Sequence, residues 1–286
     1  MENYRNVELL AAKIRRDVVL MIGGEGQTGH LGGSCSTAEI VAVLYGRIMR
    51  HDHKNPGWED RDKLILSKGH AALAQYAALA EFNYFPYEEI YNVKEIGSNL
   101  QGHPDRLRTK GIEAGTGSLG QGLSVALGMA LAMKLDKKDN TVFCIIGDGE
   151  IAEGQIWEAA MAAVNFEADN LVAVVDMNRL QATGAIRDRF DTTPLFDKWT
   201  GFGWNVMEVD GHSVSRLIWA FEEAARIKSK PTVIIAETVK GKGISFAEDD
   251  VAFHNGSMTE EQYRLALNEL DMCINELKGG AADEHA

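Results

Sequence analysis

The segment from 141 to 180 constrains the fold more than any other part of this chain. An apolar run at 141–146 leads into Gly147-Asp148-Gly149, a stretch with helical periodicity follows, and a second apolar run at 171–175 precedes Asn178. This order predicts a strand–helix–strand unit with parallel strands. Both turns then fall at the carboxyl ends of neighbouring strands, which is the edge where open α/β sheets bind ligands.

The rest of the chain continues this alternation of helices and strands. Apolar residues at helical spacing predict further helices at 7–22, 38–49, 214–227 and 260–277. Short apolar runs predict strands at 63–66, 203–209 and 232–237. We therefore predict an α/β fold with a mostly parallel sheet flanked by helices, in a single domain over residues 1–286. Residues 25–34 are expected to form a loop, and the polar residues 278–286 a disordered tail.

Charge and cysteine usage narrow the range of functions. The chain has 286 residues and a formal net charge of −13, which argues against a nucleic-acid surface or an anionic membrane as partner. Cys35, Cys144 and Cys273 are far apart and lack the spacing of a metal site or a disulfide framework. The N-terminus is polar, and no run is long enough to span a bilayer. We expect a soluble, cytoplasmic protein.

The two turns of the central unit carry oxygen ligands suited to a hard cation. Asp148 offers a carboxylate oxygen, Asn178 an amide oxygen, and the carbonyl of Leu180 a third ligand. Magnesium prefers such oxygens and shares its shell with water and substrate phosphates. Gly147 and Gly149 allow the backbone to approach a phosphate closely. A Gly-Asp-Gly turn without any ligand is the alternative, and the position of Asn178 after the next strand disfavours it.

Several histidines occur in glycine turns at predicted loop edges. His30, His70, His103 and His212 each follow a glycine directly. Such turns suggest imidazoles that point into a shared pocket, where they suit hydroxyls, phosphate oxygens and proton transfer near neutral pH. His212 is interpreted as structural, and His254, which follows Phe253, is undecided on its own.

The arrangement resembles the thiamine diphosphate fingerprint, in which Gly-Asp-Gly is followed one strand later by Asn-Asn. Met177 replaces the first Asn here, and Asn178 keeps the second. Along nearly its whole length the chain is similar to transketolase. The motifs that carry this resemblance occur in the family's order: Gly29-His30, Leu66-Ser67-Lys68-Gly69-His70, Gly102-His103-Pro104, Thr116-Gly117-Ser118-Leu119-Gly120-Gln121-Gly122, Gly147-Asp148-Gly149, Glu153-Gly154, Asp176-Met177-Asn178-Arg179-Leu180, Lys240-Gly241-Lys242-Gly243 and Phe253-His254.

The resemblance implies a thiamine-diphosphate-binding fold and a role for each matching residue. A divalent ion would be held by Asp148, Asn178 and the Leu180 carbonyl. This ion would be magnesium, or calcium or manganese instead of magnesium. The diphosphate would contact Gly149, His70 and His254, with Lys240 near the cofactor. The aminopyrimidine and thiazolium rings would lie against Gly117 and Leu119.

The resemblance also assigns the residues that face the sugar. Its hydroxyls would meet His30, His103 and His254, which would handle protons as a ketol carbon–carbon bond breaks and re-forms. Glu153 matches the acidic residue of a carboxylate network between the family's active sites. The alternative for Glu153 is a first-turn glutamate that complements the helix dipole.

A full transketolase is more than twice as long, and its pyrimidine-binding and C-terminal domains have no counterpart here. The resemblance therefore implies the N-terminal subunit of a split transketolase, active only with a partner that carries those domains, in an assembly of two copies of each chain. Sugar phosphates would be the substrates, with pentose phosphates as the default and branched or sulfonated sugar phosphates as the alternatives. The alternatives are a protein like 1-deoxyxylulose-phosphate synthase, a protein like the α chain of a 2-oxo acid dehydrogenase, or a non-catalytic protein that keeps the fold.

Overall fold

A computed structural model describes residues 4–24 and 26–279. The strands are β1 (Lys63–Leu66), β2 (Val142–Gly147), β3 (Leu171–Met177), β4 (Leu180–Gln181), β5 (Gly184–Ala185), β6 (Asn205–Asp210) and β7 (Thr232–Glu237). The α-helices are α1 (Arg5–Ile22), α2 (Leu31–Ser36), α3 (Ala38–Val43), α4 (Ala72–Glu81), α5 (Gly122–Leu135), α6 (Gly154–Asn165), α7 (Leu195–Gly201), α8 (Val214–Arg226) and α9 (Glu260–Gly279).

Five of these strands form one sheet in the order β1-β2-β3-β7-β6, and every neighbouring pair in it is parallel. The apolar runs 142–146 and 171–175 form its central strands and are buried on both faces, as expected for a parallel sheet covered by helices. The strands β4 and β5 form a small antiparallel hairpin outside this sheet. The predicted fold class is confirmed.

Alternate residues of each central strand contribute to two hydrophobic cores, one on each face of the sheet. Ile145 and Val174 belong to the core that α1, α3, α4, α8 and α9 complete. Cys144 and Val175 belong to the core beneath α5, α6 and α7. This period-two division of side chains holds the sheet as the middle of three layers. Among the described residues, no helix is both long and apolar enough to cross a membrane.

The structure departs from the sequence prediction at several places. Part of the predicted 25–34 loop is helical, because α2 begins at Leu31. The predicted helix 38–49 is α-helical to Val43 and then continues as a π-helix, Leu44–Ile48. Helix α9 runs through Gly279, so the first two residues of the predicted tail are helical, and residues 280–286 lie outside the described part of the chain.

Candidate active site

The carboxyl edge of the sheet brings the two predicted turns together. Gly147 at the end of β2 lies in register with Asp176 of β3. Asp148 follows the first strand, and its carboxylate accepts hydrogen bonds from the backbone N–H of Gly149 at 2.9 Å and from that of Arg179 in the turn after β3. Burial, and then the neighbouring Asp176 carboxylate, raise the pKa of Asp148 to about 7. A cation at this carboxylate would therefore favour its charged form.

The other two predicted metal ligands lie in the turn after β3. Asn178 is buried, and its side-chain Oδ1 accepts a hydrogen bond from the Leu180 N–H at 3.1 Å. The Leu180 carbonyl accepts a hydrogen bond from the Lys240 ammonium group at 2.8 Å. Burial, and then the nearby Lys68 ammonium group, lower the pKa of Lys240 to about 8. An oxygen that binds an ammonium group in this way is also a suitable ligand for a metal ion.

A buried ion pair that the sequence analysis did not identify supports this turn. The Lys68 ammonium group donates to the Asp176 carboxylate, which also accepts from Asn178 Nδ2 at 3.0 Å and from Ser36 Oγ at 2.7 Å. Burial opposes the charge on Asp176, but Lys68 outweighs this effect and holds the pKa of the carboxyl below its usual value. The Nδ2 bond fixes the orientation of the Asn178 amide, so that its oxygen faces away from Asp176.

The predicted histidines form one cluster. The ring centroid of His30 lies 5.1 Å from that of His70, 6.2 Å from that of His103 and 5.6 Å from that of His254. Burial lowers the pKa of His70 to about 2, with a smaller contribution from nearby lysines. Burial, followed by neighbouring cations, also lowers the pKa of His30 and that of His254 to about 4. The rings of His30, His70 and His254 are therefore neutral near pH 7, and each can donate and accept a hydrogen bond.

His212 lies apart from this cluster, as the sequence analysis expected. Its Nδ1 lies 2.9 Å from the Glu39 carboxylate, and its Nε2 accepts a hydrogen bond from the Val239 N–H at 2.8 Å. His212 therefore ties the backbone that precedes Lys240 to the buried helix α3. The structural interpretation of His212 is confirmed.

A cavity of about 400 Å³ joins the candidate cation ligands to the histidine cluster. The predicted site residues that line it are His30, His70, Gly117, Leu119, Asp148, Gly149, Glu153, Asn178, Leu180, Lys240 and His254. His103 is not part of this lining but adjoins it, because a Cβ added to Gly117 would come within 2.8 Å of His103 Cδ2. Glu153 is exposed at the start of α6, and its side chain does not cap that helix.

The groups around the cavity fit a diphosphate and a divalent ion. Lys68 and Lys240 provide positive charge on its wall. His254 Nδ1 is buried and has no hydrogen-bond partner within the described part of the chain. A buried polar atom without a partner carries a free-energy cost that a bound ligand can remove. The oxygens of Asp148, Asn178 and Leu180 supply the hard donors that magnesium prefers.

Comparison with known proteins agrees with this geometry. Residues 8–275 match the family described as "Transketolase, thiamine diphosphate binding domain". The chain belongs to this family. The prediction of a transketolase N-terminal subunit, with the fold of its thiamine diphosphate-binding domain, is confirmed. The roles of the individual site residues stay predictions.

Two similar relatives are themselves named as subunits of transketolases. The "6-deoxy-6-sulfo-D-fructose transketolase subunit SqwG" of Clostridium sp. (strain MSTE9) is 47% identical over 91% of this chain and 94% of its own length. A relative from Phocaeicola vulgatus, named as one subunit of an apulose-4-phosphate transketolase, is 39% identical over 95% of this chain and 96% of its own length.

A solved transketolase gives the position of the chain within a longer enzyme. The transketolase from Leishmania mexicana superposes with a TM-score of 0.82 at 27% sequence identity, over 98% of this chain and 46% of that one. The chain therefore spans about half the length of that transketolase.

Proposed function

We propose that this chain is the diphosphate- and metal-binding half of a two-polypeptide transketolase, which transfers a two-carbon ketol unit from a ketose to an aldose phosphate. The observation that carries the proposal is the convergence of Asp148, Asn178 and Leu180 beside the histidine cluster. The family of the chain and the names of its relatives support the reaction class.

Each group of residues has a distinct task in this proposal. Asp148, Asn178 and the Leu180 carbonyl hold the divalent ion, with magnesium as the expected metal. The diphosphate lies among Lys68, Lys240, His70, His254 and the backbone of Gly149. When bound, thiamine diphosphate supplies the electron sink for cleavage of the ketol carbon–carbon bond.

Histidines of the cluster act on the sugar. His30 and His103 are placed to hold and move protons at substrate hydroxyl groups, together with His254. A neutral imidazole is suited to this task, because it offers one donor and one acceptor nitrogen. Gly117 and Leu119 contact the cofactor rings, and Glu153 extends from the rim of the cavity.

The partner in this proposal is a C-terminal transketolase subunit with the pyrimidine-binding and C-terminal domains. Leu119 and Glu153 belong to the lining of the cavity and are exposed, so that a second polypeptide can cover them. We propose a heterotetramer with two copies of each chain. We further propose a cytoplasmic location, since Cys35 and Cys144 are free, buried thiols.

The names of the two subunit relatives suggest the substrates to test. We propose that the donor is a ketose with an anionic group at the end remote from its carbonyl. The first candidate is 6-deoxy-6-sulfo-D-fructose, because the relative with this name is 47% identical to the chain. Apulose 4-phosphate and xylulose 5-phosphate are the comparison substrates.

The deciding experiment measures ketol transfer to an aldose phosphate by the chain alone, by its partner alone and by both together, with thiamine diphosphate and magnesium. Transfer is expected only when both polypeptides are present. Full activity of the isolated chain would refute the two-polypeptide proposal. Release of carbon dioxide from pyruvate by the complex would replace the proposed reaction with that of the synthase or the dehydrogenase.

A further inference from the structure

The carboxylate of Glu150 lies where three loops of the cavity meet. Its Oε1 accepts hydrogen bonds from the Gly120 N–H at 2.8 Å and from the Ser67 hydroxyl, and its Oε2 accepts from the Gly147 N–H at 3.0 Å. The Glu150 residue is only 3% exposed. These donors come from the loop after β1, the loop before α5 and the last residue of β2, so one side chain joins segments that are far apart in sequence.

Ser67 extends this connection to the first turn of α5. Its hydroxyl donates to Glu150 and accepts from the Gly122 N–H at 3.1 Å. A Cβ added to Gly122 would lie 2.3 Å from Ser67 Oγ, which shows how closely the two segments approach. The start of α5 is thus fixed against the end of β1 through one hydroxyl group and one carboxylate.

The same loops also touch through their backbones. A Cβ added to Gly69 would come within 2.7 Å of the backbone of Thr116 and Gly117. No side chain can fit between these two segments at this point. Their packing therefore depends on backbone contact and on the hydrogen bonds that Glu150 and Ser67 supply.

We propose that Glu150 is a positioning residue that assembles the cofactor cavity before the cofactor binds. Its contact with Gly120 holds the Gly117–Leu119 loop. Its contact with Ser67 holds the loop that carries Lys68 and His70. Its contact with Gly147 holds the turn that carries Asp148. Its role in cofactor binding rests on the function proposed above, but its role in holding the loops does not.

The positioning role requires a carboxylate and not an amide. Glu150 faces backbone N–H donors with both of its oxygens. Gln at this position offers one acceptor oxygen and one NH₂ group, so either Gly120 or Gly147 would face another donor. The Glu150→Gln substitution keeps the size of the side chain and removes one of the two backbone contacts, which makes it the decisive variant.

The first measurement needs no cofactor. Amide hydrogen exchange is followed by NMR in the full chain labelled at glycine, for the wild type, Glu150→Gln, Ser67→Ala and the control Glu158→Gln on the exposed face of α6. In Glu150→Gln we expect exchange about tenfold faster or more at Gly120 or Gly147, the effect of losing one hydrogen bond to a charged group. In Ser67→Ala the increase is expected at Gly122, with Gly120 and Gly147 still protected. Wild-type exchange at all three glycines in a folded Glu150→Gln would overturn the proposal.

The second measurement separates positioning from chemistry. In the complex with the partner subunit, Glu150→Gln should raise the thiamine diphosphate concentration for half-maximal activity about tenfold, because only a fraction of molecules has the cavity assembled. The value of kcat at saturating cofactor should stay within about threefold, since the bound cofactor itself contacts all three loops. A lower kcat with an unchanged half-saturating concentration would overturn the proposal. If Glu150→Gln fails to fold, Ser67→Ala tests the part of the connection that runs through Ser67. Faster exchange at Gly122 together with a higher half-saturating thiamine diphosphate concentration would support the proposal, and wild-type values of both would overturn it.

The two proposals can fail separately. If glycine exchange is faster in Glu150→Gln but the wild-type complex transfers no ketol unit, the positioning role of Glu150 is supported and the proposed function is rejected. If the wild-type complex transfers the ketol unit but Glu150→Gln shows wild-type cofactor affinity and wild-type glycine exchange, the proposed function is supported and the positioning role of Glu150 is rejected.

Discussion

Lys240 and Leu180 share a hydrogen bond across the floor of the cavity. The Lys240 ammonium group lies 2.8 Å from the carbonyl oxygen that we propose as a metal ligand. Gly32 in helix α2 leaves room for the Lys240 side chain, since a Cβ on Gly32 would lie 2.8 Å from Lys240 Cγ. A positive side chain and a divalent ion would therefore lie side by side, an arrangement that favours the binding of a diphosphate.

Replacement of this buried cation should weaken cofactor binding. For Lys240→Met we expect the dissociation constant of thiamine diphosphate, measured by calorimetry with magnesium, to rise about 10- to 100-fold, as for loss of a charged hydrogen-bond donor. The control is Lys242→Met, because Lys242 is half-exposed and pairs with Glu248 at 3.2 Å. Equal affinities for the two variants would contradict the placement of Lys240 at the diphosphate.

Removal of the Asp148 charge should abolish metal-dependent retention of the cofactor. Asp148→Asn keeps the side-chain shape but leaves one oxygen for two backbone N–H donors and the ion. We expect at least about a 100-fold loss of affinity, since the buried site then lacks its charged ligand. The measurement is the cofactor content after gel filtration in magnesium, with the exposed Asp136→Asn as control. Retention equal to that of the control would remove Asp148 from the cation site.

Two glycines in one loop provide a matched test of the histidine cluster. Gly117 has a φ of +140°, and a Cβ at this residue would lie 2.8 Å from His103 Cδ2. A Cβ on Gly115 would instead meet only the Pro104 carbonyl oxygen, at 3.6 Å. We expect Gly117→Ala to lower kcat/KM of the complex about 10- to 100-fold, because a small displacement of a catalytic group is costly. Gly115→Ala should stay near the wild type, and a similar loss in both variants would count against a specific role for His103.

A buried carboxyl group far from the cavity should make stability depend on pH. Asp17 is buried beneath Tyr87, whose hydroxyl donates to it, and the charged groups nearest to it are Lys13, Arg16 and Glu81. Burial raises the pKa of Asp17 from 3.8 to about 7. The folded protein then keeps a proton that the unfolded chain releases, so this group makes the free energy of unfolding fall as the pH rises from about 4 to 7, by at most roughly 4 kcal/mol.

The Asp17→Asn variant tests this pH dependence, because Asn resembles the protonated carboxyl group. Urea unfolding at pH 5 and pH 8 should show that the variant gains stability relative to the wild type at the higher pH. The exposed Asp60→Asn should show the same difference from the wild type at both pH values. A pH-independent effect of Asp17→Asn would mean that the Asp17 carboxyl group titrates normally in the folded protein.

The sequence by itself determined the order of the elements and the position of the candidate site. Hydrophobic periodicity and glycine turns are local signals, so the central strands, the turn at Asp148 and the turn at Asn178 could be predicted from neighbouring residues. The parallel arrangement then followed from the alternation of strands and helices, and it placed both turns at one edge of the sheet.

Only the tertiary structure decided which buried polar groups support that site. Lys68 and Asp176 pair across 108 residues of sequence, and Ser67 and Glu150 across 83. No periodicity links such residues, since each contact exists only because the sheet brings the carboxyl ends of β1, β2 and β3 to one edge. Tertiary packing also decided the conformation of the segment that begins at Leu31. Its glycine-rich sequence predicts a loop, but its packing against Lys240 and His70 favours a helix.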